Sequence, residues 1–253
     1  MKRIILSIVC LVAMGGLFSQ ASAQEGKVVY EEVMKLDIQI EGDGAQFADM
    51  LPKERKSSKV LLFNSDVSLY ENNKDKESAE DIAMEHGGAM VMMKMAEPNN
   101  KFYINFDKQK TIEKKEFMTR SFLIEGKVEA SGWKLTGEQK NLLEYPCQKA
   151  VKTDDEGKET IAWFTASIPV SAGPGSFIGL PGLVLAVEMN DGEHTIMAQS
   201  VEMMDIAKDK LAKPKGGKKV NQEEFDIIVA EKMKEMGAQE GEAGGTFIMK
   251  IER

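Results

Sequence analysis

Apolar and polar residues alternate with a period of two along most of this chain, and few folds satisfy that pattern. Successive side chains of a strand point to opposite faces, so the alternation describes sheet with one face buried. In residues 27–40, Val28, Tyr30, Met34, Leu36, Ile38 and Ile40 fall mostly on one side, and Val29, Glu31, Val33 and Lys35 on the other. Residues 59–70 repeat the pattern with Val60, Leu62, Val67 and Leu69. Residues 101–106, 110–117 and 120–125 read as successive short strands, turned at 107–109 and at Met118-Thr119. Residues 146–153 and 158–164 flank Asp154-Asp155-Glu156-Gly157, a turn-forming tetrad. Residues 183–190 and 193–202 flank Asp191-Gly192, which predicts a type I′ hairpin because both central residues of that turn need positive φ. With this two-residue loop, Met189 and His194 are cross-strand neighbours and Val187 faces Ile196.

Helical spacing is confined to one place. Asn221-Gln222-Glu223-Glu224 predicts a capping box, after which Phe225, Ile228, Val229, Met233 and Met236 share a face and Gly237 marks the stop. Three segments read as loops: the acidic 72–85; 208–219, with six lysines beside Pro214 and Gly216-Gly217; and the Gly- and acid-rich 237–245. The lysine cluster suits an acidic partner or anionic lipid headgroups. Residues 246–251 read as a terminal strand returning to the sheet.

Residues 1–23 have the parts of a secretory signal peptide: Lys2 and Arg3, an apolar stretch over 4–17, and Ala21-Ser22-Ala23 before Gln24. The apolar stretch falls short of the roughly 20 residues that span a bilayer. Cys10 lies inside it, well before the cleavage site, which is not the position of a lipid-attachment cysteine. The expectation is an exported, soluble protein of the periplasm or the cell exterior, neither a lipoprotein nor a transmembrane one, with a single domain over 24–253. Loss of Lys2 and Arg3 leaves 31 basic against 41 acidic residues, moving the net charge from −8 to −10. Such acidity repels nucleic acid. Cys147 is then the one remaining cysteine, so an intramolecular disulfide is excluded and stability must come from a core.

Between the predicted hairpins lies Ile178-Gly179-Leu180-Pro181-Gly182-Leu183-Val184-Leu185, an apolar hinge that feeds a strand. Pro174 and Pro181 fix φ and donate no ladder hydrogen bond, while the glycines allow sharp turns or close backbone approach. Two roles follow. The hinge is a turn from which Leu180 and Leu183 plug the core, or it is a ligand contact made by Gly179, Leu180, Pro181, Gly182 and Leu183, with Trp163 and Ile168 lining the same pocket. It is not a phosphate loop, because no Lys-Ser/Thr pair follows the glycines and a strand comes next. Along the chain stand, in order, Tyr145-Pro146-Cys147-Gln148-Lys149-Ala150, Ala162-Trp163-Phe164-Thr165, Ile168-Pro169-Val170-Ser171, Gly173-Pro174 and Gly179-Leu180-Pro181-Gly182-Leu183. This series resembles the GLPGLI family of exported proteins from Gram-negative bacteria, with Val184 where the family's name has isoleucine. The resemblance implies export and a β-rich fold, and no established catalysis.

Five of the chain's 17 methionines fall in residues 84–95. Thioethers are soft ligands that select Cu(I), so His86, Met90, Met92, Met93 and Met95 are candidate metal ligands; methionine is also an adaptable apolar packer. As a strand the segment puts Met90 and Met92 on one face and Met93 and Met95 on the other, whereas a loop wraps all of them around one ion. HExxH, CxxC, GxSxG and Walker patterns are absent, and two histidines leave nucleophilic catalysis short of parts. The fold expected is mainly β: a single antiparallel, strongly curved sheet or partly open barrel with one C-terminal amphipathic helix. Architecturally it is similar to periplasmic lipoprotein-carrier folds. The function expected is non-enzymatic binding of an apolar small molecule, a lipid, a peptide segment or an envelope protein partner. A copper-binding module and a hydrolase are the alternatives.

Overall fold

The computed structural model describes residues 24–36, 38–40, 52–76, 80–86, 89–95, 97–128, 132–240 and 247–249. The signal peptide expected over 1–23 lies outside them. In chain order the strands are β1 (Gly26–Lys35), β2 (Ile38–Ile40), β3 (Glu54–Phe63), β4 (Val67–Asn72), β5 (Glu80–His86), β6 (Ala89–Met95), β7 (Lys101–Asn105), β8 (Lys110–Phe117), β9 (Arg120–Lys127), β10 (Lys134–Leu142), β11 (Tyr145–Thr153), β12 (Glu159–Thr165), β13 (Leu183–Met189), β14 (His194–Met203), β15 (Lys218–Val220) and β16 (Phe247–Met249), with helix α1 (Gln222–Glu240) between the last two. Twelve of them form one sheet in the order β10-β11-β12-β13-β14-β1-β3-β4-β7-β8-β9-β15. Every pair in it is antiparallel except β15 on β9. The sheet is open rather than closed into a barrel, since β10 and β15 are its two edges.

The Asp191-Gly192 turn forms as the dipeptide predicts. Asp191 and Gly192 have φ of 52° and 80°, Glu193 N donates to Asn190 O at 3.0 Å, and Met189 pairs with His194. Elsewhere the pattern ran strands together. Residues 59–70 are the halves of a hairpin, β3 and β4, because the Asn64 side chain accepts from the amides of Asp66 and Val67 and closes a turn. The first predicted strand breaks after Lys35, and β2 pairs with β16 in a separate two-stranded sheet rather than in the large one. The predicted loop 72–85 gives way to strand from Glu80, paired with β6. Edge strand β10 has no alternation to reveal it, being exposed along almost its whole length.

The sheet is strongly curled. Thr160 on β12 and Phe102 on β7 line one cleft, as do Lys152 on β11 and Thr111 on β8. At about 4.8 Å per strand a flat sheet would hold the second pair about 38 Å apart. Cross-strand partners share a face, so the ladders identify the concave one: Val28, Tyr30 and Glu32 on β1, Leu61 and Phe63 on β3, Ala162 on β12, Val187 on β13, Ile196 and Ala198 on β14. Most of these belong to the main core, together with Ile168, Val170, Ala172, Leu180, Leu183 and Val184 from the Gly/Pro-rich segment and the start of β13. The hinge is thus a core turn, with Leu180 2% exposed and Leu183 fully buried. It is knitted in by Leu183 N to Ile168 O, Val184 N to Ala172 O, and the Tyr30 hydroxyl donating to Val184 O at 2.6 Å. Gly182 is there for space, since a Cβ on it would lie 2.1 Å from the Thr165 carbonyl oxygen, whereas Gly179 supplies a positive φ of 88°.

Helix α1 begins at a reciprocal capping box. Glu224 N donates to Asn221 Oδ1 at 2.8 Å, and Asn221 N donates to Glu224 Oε2 at 3.0 Å. Phe225 is buried against Phe122 and Phe117, with Ile228 and Val229 beside it. The predicted face ends there: Met233 is exposed, and the helix continues through Gly237 to Glu240. One glycine costs about 1 kcal/mol in a helix, which does not stop it when helix formers follow.

Candidate binding cleft

The curl leaves a cleft of about 370 Å³ between the two arms of the sheet. Phe102 and Thr111 form one wall, Lys152 and Thr160 the other, and Trp133 with Phe177 and Ile178 the third. Trp133 Nε1 donates to Ile178 O at 2.9 Å, which fixes the tip of the Gly/Pro-rich segment against the wall. Phe102, Trp133 and Phe177 are half-buried, so aromatic surface faces the opening. At the rim stand Lys127, Lys152 and Asp154. The Asp154 carboxylate is occupied by its own turn, accepting from the amides of Glu156 and Lys158 at 2.9 and 2.8 Å. Neither rim lysine has a carboxylate within ion-pair distance among the described residues.

A polar cluster lies along the same concave face. Phe102 is directly opposite Tyr70, and Thr160 opposite Met189, which is opposite His194. His194 Nε2 and Glu32 Oε1 are 2.7 Å apart. Lys59 Nζ donates to Asn72 Oδ1 at 2.8 Å and to Glu97 Oε1 at 2.5 Å, and Asn72 Nδ2 donates to Pro98 O. The Lys59–Asn72 contact follows from register, since the two are cross-strand partners. Burial pushes the Glu32 carboxyl up, but the His194 hydrogen bond and the charges of Lys59, His194 and Arg55 outweigh it and hold the pKa below its ordinary value. Burial, then the nearby Glu32 charge, hold the Tyr70 phenol well above its ordinary range. Its hydroxyl is close enough to Glu32 to feel that charge, yet makes no aligned hydrogen bond. The cluster holds charges in fixed positions. His194 has its carboxylate partner but no serine, threonine or cysteine in hydrogen-bond contact among the described residues.

The residues singled out from sequence divide. Ile168, Leu180 and Leu183 pack into the core, and Gly182 is buried against Thr165; Gly179 and Pro181 are exposed. Trp163 is not on their side of the sheet. It pairs with Lys149 and Ala186 on the convex face, where Lys140 Nζ sits 3.9 Å from the ring centroid. None of these seven lines the cleft, which Ile178 touches from the same segment. His86, Met90, Met92, Met93 and Met95 lie on the β5–β6 hairpin, where His86 pairs with Ala89 and Met92 with Ala83. The segment is strand rather than a wrapping loop; the side chains lie outside the described residues. Among the described residues no three His, Cys, Asp or Glu side chains gather as a metal site. Cys147 is buried, which pushes its thiol pKa up. Glu32 was missed although its signal was present: it is the polar interruption in the apolar face of Val28, Tyr30 and Met34. Trp133, Phe102 and Phe177 carried none, because only the curl brings them together.

Residues 153–186 match a family described as "Protein of unknown function (Porph_ging)". The match takes in β12, the Gly/Pro-rich segment and the start of β13. No curated protein matches the chain. Among solved structures it is similar to PNGF-II in two crystal forms. In the C2 form the identity is 19% and the TM-score 0.55, with 82% of this chain and 33% of that one covered. In the P21 form the identity is 18% and the TM-score 0.55, with 81% and 33% covered. An uncharacterized conserved protein from Thermus thermophilus gives 9% identity and a TM-score of 0.41, covering 79% of this chain and 91% of that one. The chain spans about a third of the length of PNGF-II, and at this identity the likeness is one of fold.

Proposed function

We propose that this is an exported, non-enzymatic binding protein that holds an amphipathic ligand, with an apolar body and an acidic end, in the cleft between the arms of its curled sheet. The observation that carries this reading is the pairing of half-buried Phe102, Trp133 and Phe177 with the rim lysines Lys127 and Lys152. A cavity of this size is typical of small-molecule sites, and aromatic walls with a few placed charges are what such ligands require. Export rests on the signal-peptide pattern of residues 1–23. The ligand class is a lipid-like carboxylate or the acidic end of an apolar peptide segment. Denaturing extraction of the purified protein followed by mass spectrometry identifies a co-purifying ligand, and calorimetric titration with dodecanoate measures the site. Trp133→Ala is expected to weaken dodecanoate by about tenfold or more, and Lys127→Gln/Lys152→Gln to weaken dodecanoate but not dodecanol. Dodecanoate binding that ignores both variants would overturn the assignment.

A further inference from the structure

The lysine-rich segment plays no part in that cleft. It crosses the opposite, convex face of the sheet and is pinned at both ends: Leu211 and Pro214 are buried, and β15 is paired with β9. Beneath it Glu71, Lys101 and Lys114 stand in one cross-strand row over β4, β7 and β8. Between row and segment lies a second cleft of about 510 Å³. Six lysines line it, Lys74, Lys101, Lys114, Lys210, Lys213 and Lys215, against two carboxylates, Glu71 and Asp209. Glu71 pairs with Lys101. Among the described residues no other lysine of the six has a carboxylate within ion-pair distance, although Lys213 lies within electrostatic reach of Glu125.

Six ammonium groups against two carboxylates leave an excess of four positive charges, in a chain whose net charge is −8. Like charges placed directly opposite, as Lys101 and Lys114 are, disfavour the fold unless a counter-charge joins them. A cleft focuses that field beyond what a flat surface would give. The chemistry of the lining narrows the counter-charge. Neither arginine nor an aromatic ring is present, so forked carboxylate recognition and ring stacking are not on offer. Lysine ammonium groups are compact point charges suited to phosphate oxygens. Each phosphate monoester carries about −1.5 to −2, so two of them match the excess.

We propose that the convex cleft binds a ligand bearing two phosphate groups, either a free phosphate ester or a lipid headgroup. Calorimetric titration with fructose bisphosphate at low salt tests the free form. Flotation with phosphatidylcholine vesicles, with and without phosphatidylinositol bisphosphate, tests the lipid form. Saturable binding is expected, weakened about tenfold or more by Lys114→Gln/Lys215→Gln. Lys108→Gln/Lys234→Gln removes the same charge from exposed positions outside both clefts and is expected to leave this binding unchanged, which separates place from net charge. Binding of the soluble ester alone assigns a free phosphate, and capture of the vesicles assigns a headgroup. Lys210→Gln/Lys215→Gln, confined to the exposed segment, repeats the test should the strand substitution impair folding. Absence of binding to both ligands, or equal loss in the two charge-matched variants, overturns the proposal.

Discussion

Glu32 keeps its charge against the pull of its surroundings. Burial favours the neutral acid, while the His194 hydrogen bond and the charges of Lys59, His194 and Arg55 favour the carboxylate and prevail. Its pKa is therefore lower in the folded chain than in the unfolded one, and between the two values the unfolded chain binds more protons. The stabilisation is fully present above the unfolded value, near 4.5, and is lost as pH falls through the folded one. Thermal melts of wild type and Glu32→Gln across that range check this. Wild type is expected to be the more stable by about 1 kcal/mol at neutral pH, with the gap closing in acid; a gap independent of pH would mean that shape rather than charge holds the pair. Both partners were visible in the sequence, Glu32 as a polar break in an apolar face and His194 at the end of another. Their meeting depends on β1 lying beside β14, which residues 162 positions apart do not announce.

Where a local rule suffices, elements match their sequence signals; where neighbours decide, they do not. The Asp191-Gly192 turn and the Asn221 capping box are set by a few adjacent residues, and both form as the residues dictate. β10 is an exposed edge strand, held by β11 on one side alone, and a strand with no buried face has no alternation to read. Helix α1 shows both behaviours. Its start is fixed by the cap, but its apolar face runs past the surface available to cover it, so Phe225 is buried while Met233 is exposed. Asn221→Ala removes the acceptor for the Glu224 amide and is expected to cost about 1 kcal/mol, read as a lowered melting temperature. In hydrogen exchange the first two turns of the helix should be protected and residues 232–235 should exchange quickly, since Met233, Lys234 and Glu235 are exposed and lend no packing.

At the scale of the molecule, alternation announces a curved antiparallel sheet but not what fills it. The order that puts β14 beside β1, and the curl that brings β7 and β8 to face β11 and β12, arise from packing between residues far apart in sequence. So does the fate of the Gly/Pro-rich segment, which carries the most distinctive residues of the chain and spends most of them inside it. A carrier with an empty concave face would bind by opening that face. Here that face is filled by the protein's own chain, so the ligand proposed above would settle at the margin, where Trp133, Phe102 and Phe177 remain half-buried. The consequence is measurable by hydrogen exchange with and without saturating dodecanoate. Amides of residues 183–187 on β13 already lie in the core, and their protection should not change. Amides of residues 132–134 and 176–178, around the Trp133–Ile178 hydrogen bond, should slow. Added protection across β13 and β14 instead would place the ligand within the core, and would require the Gly/Pro-rich segment to leave it.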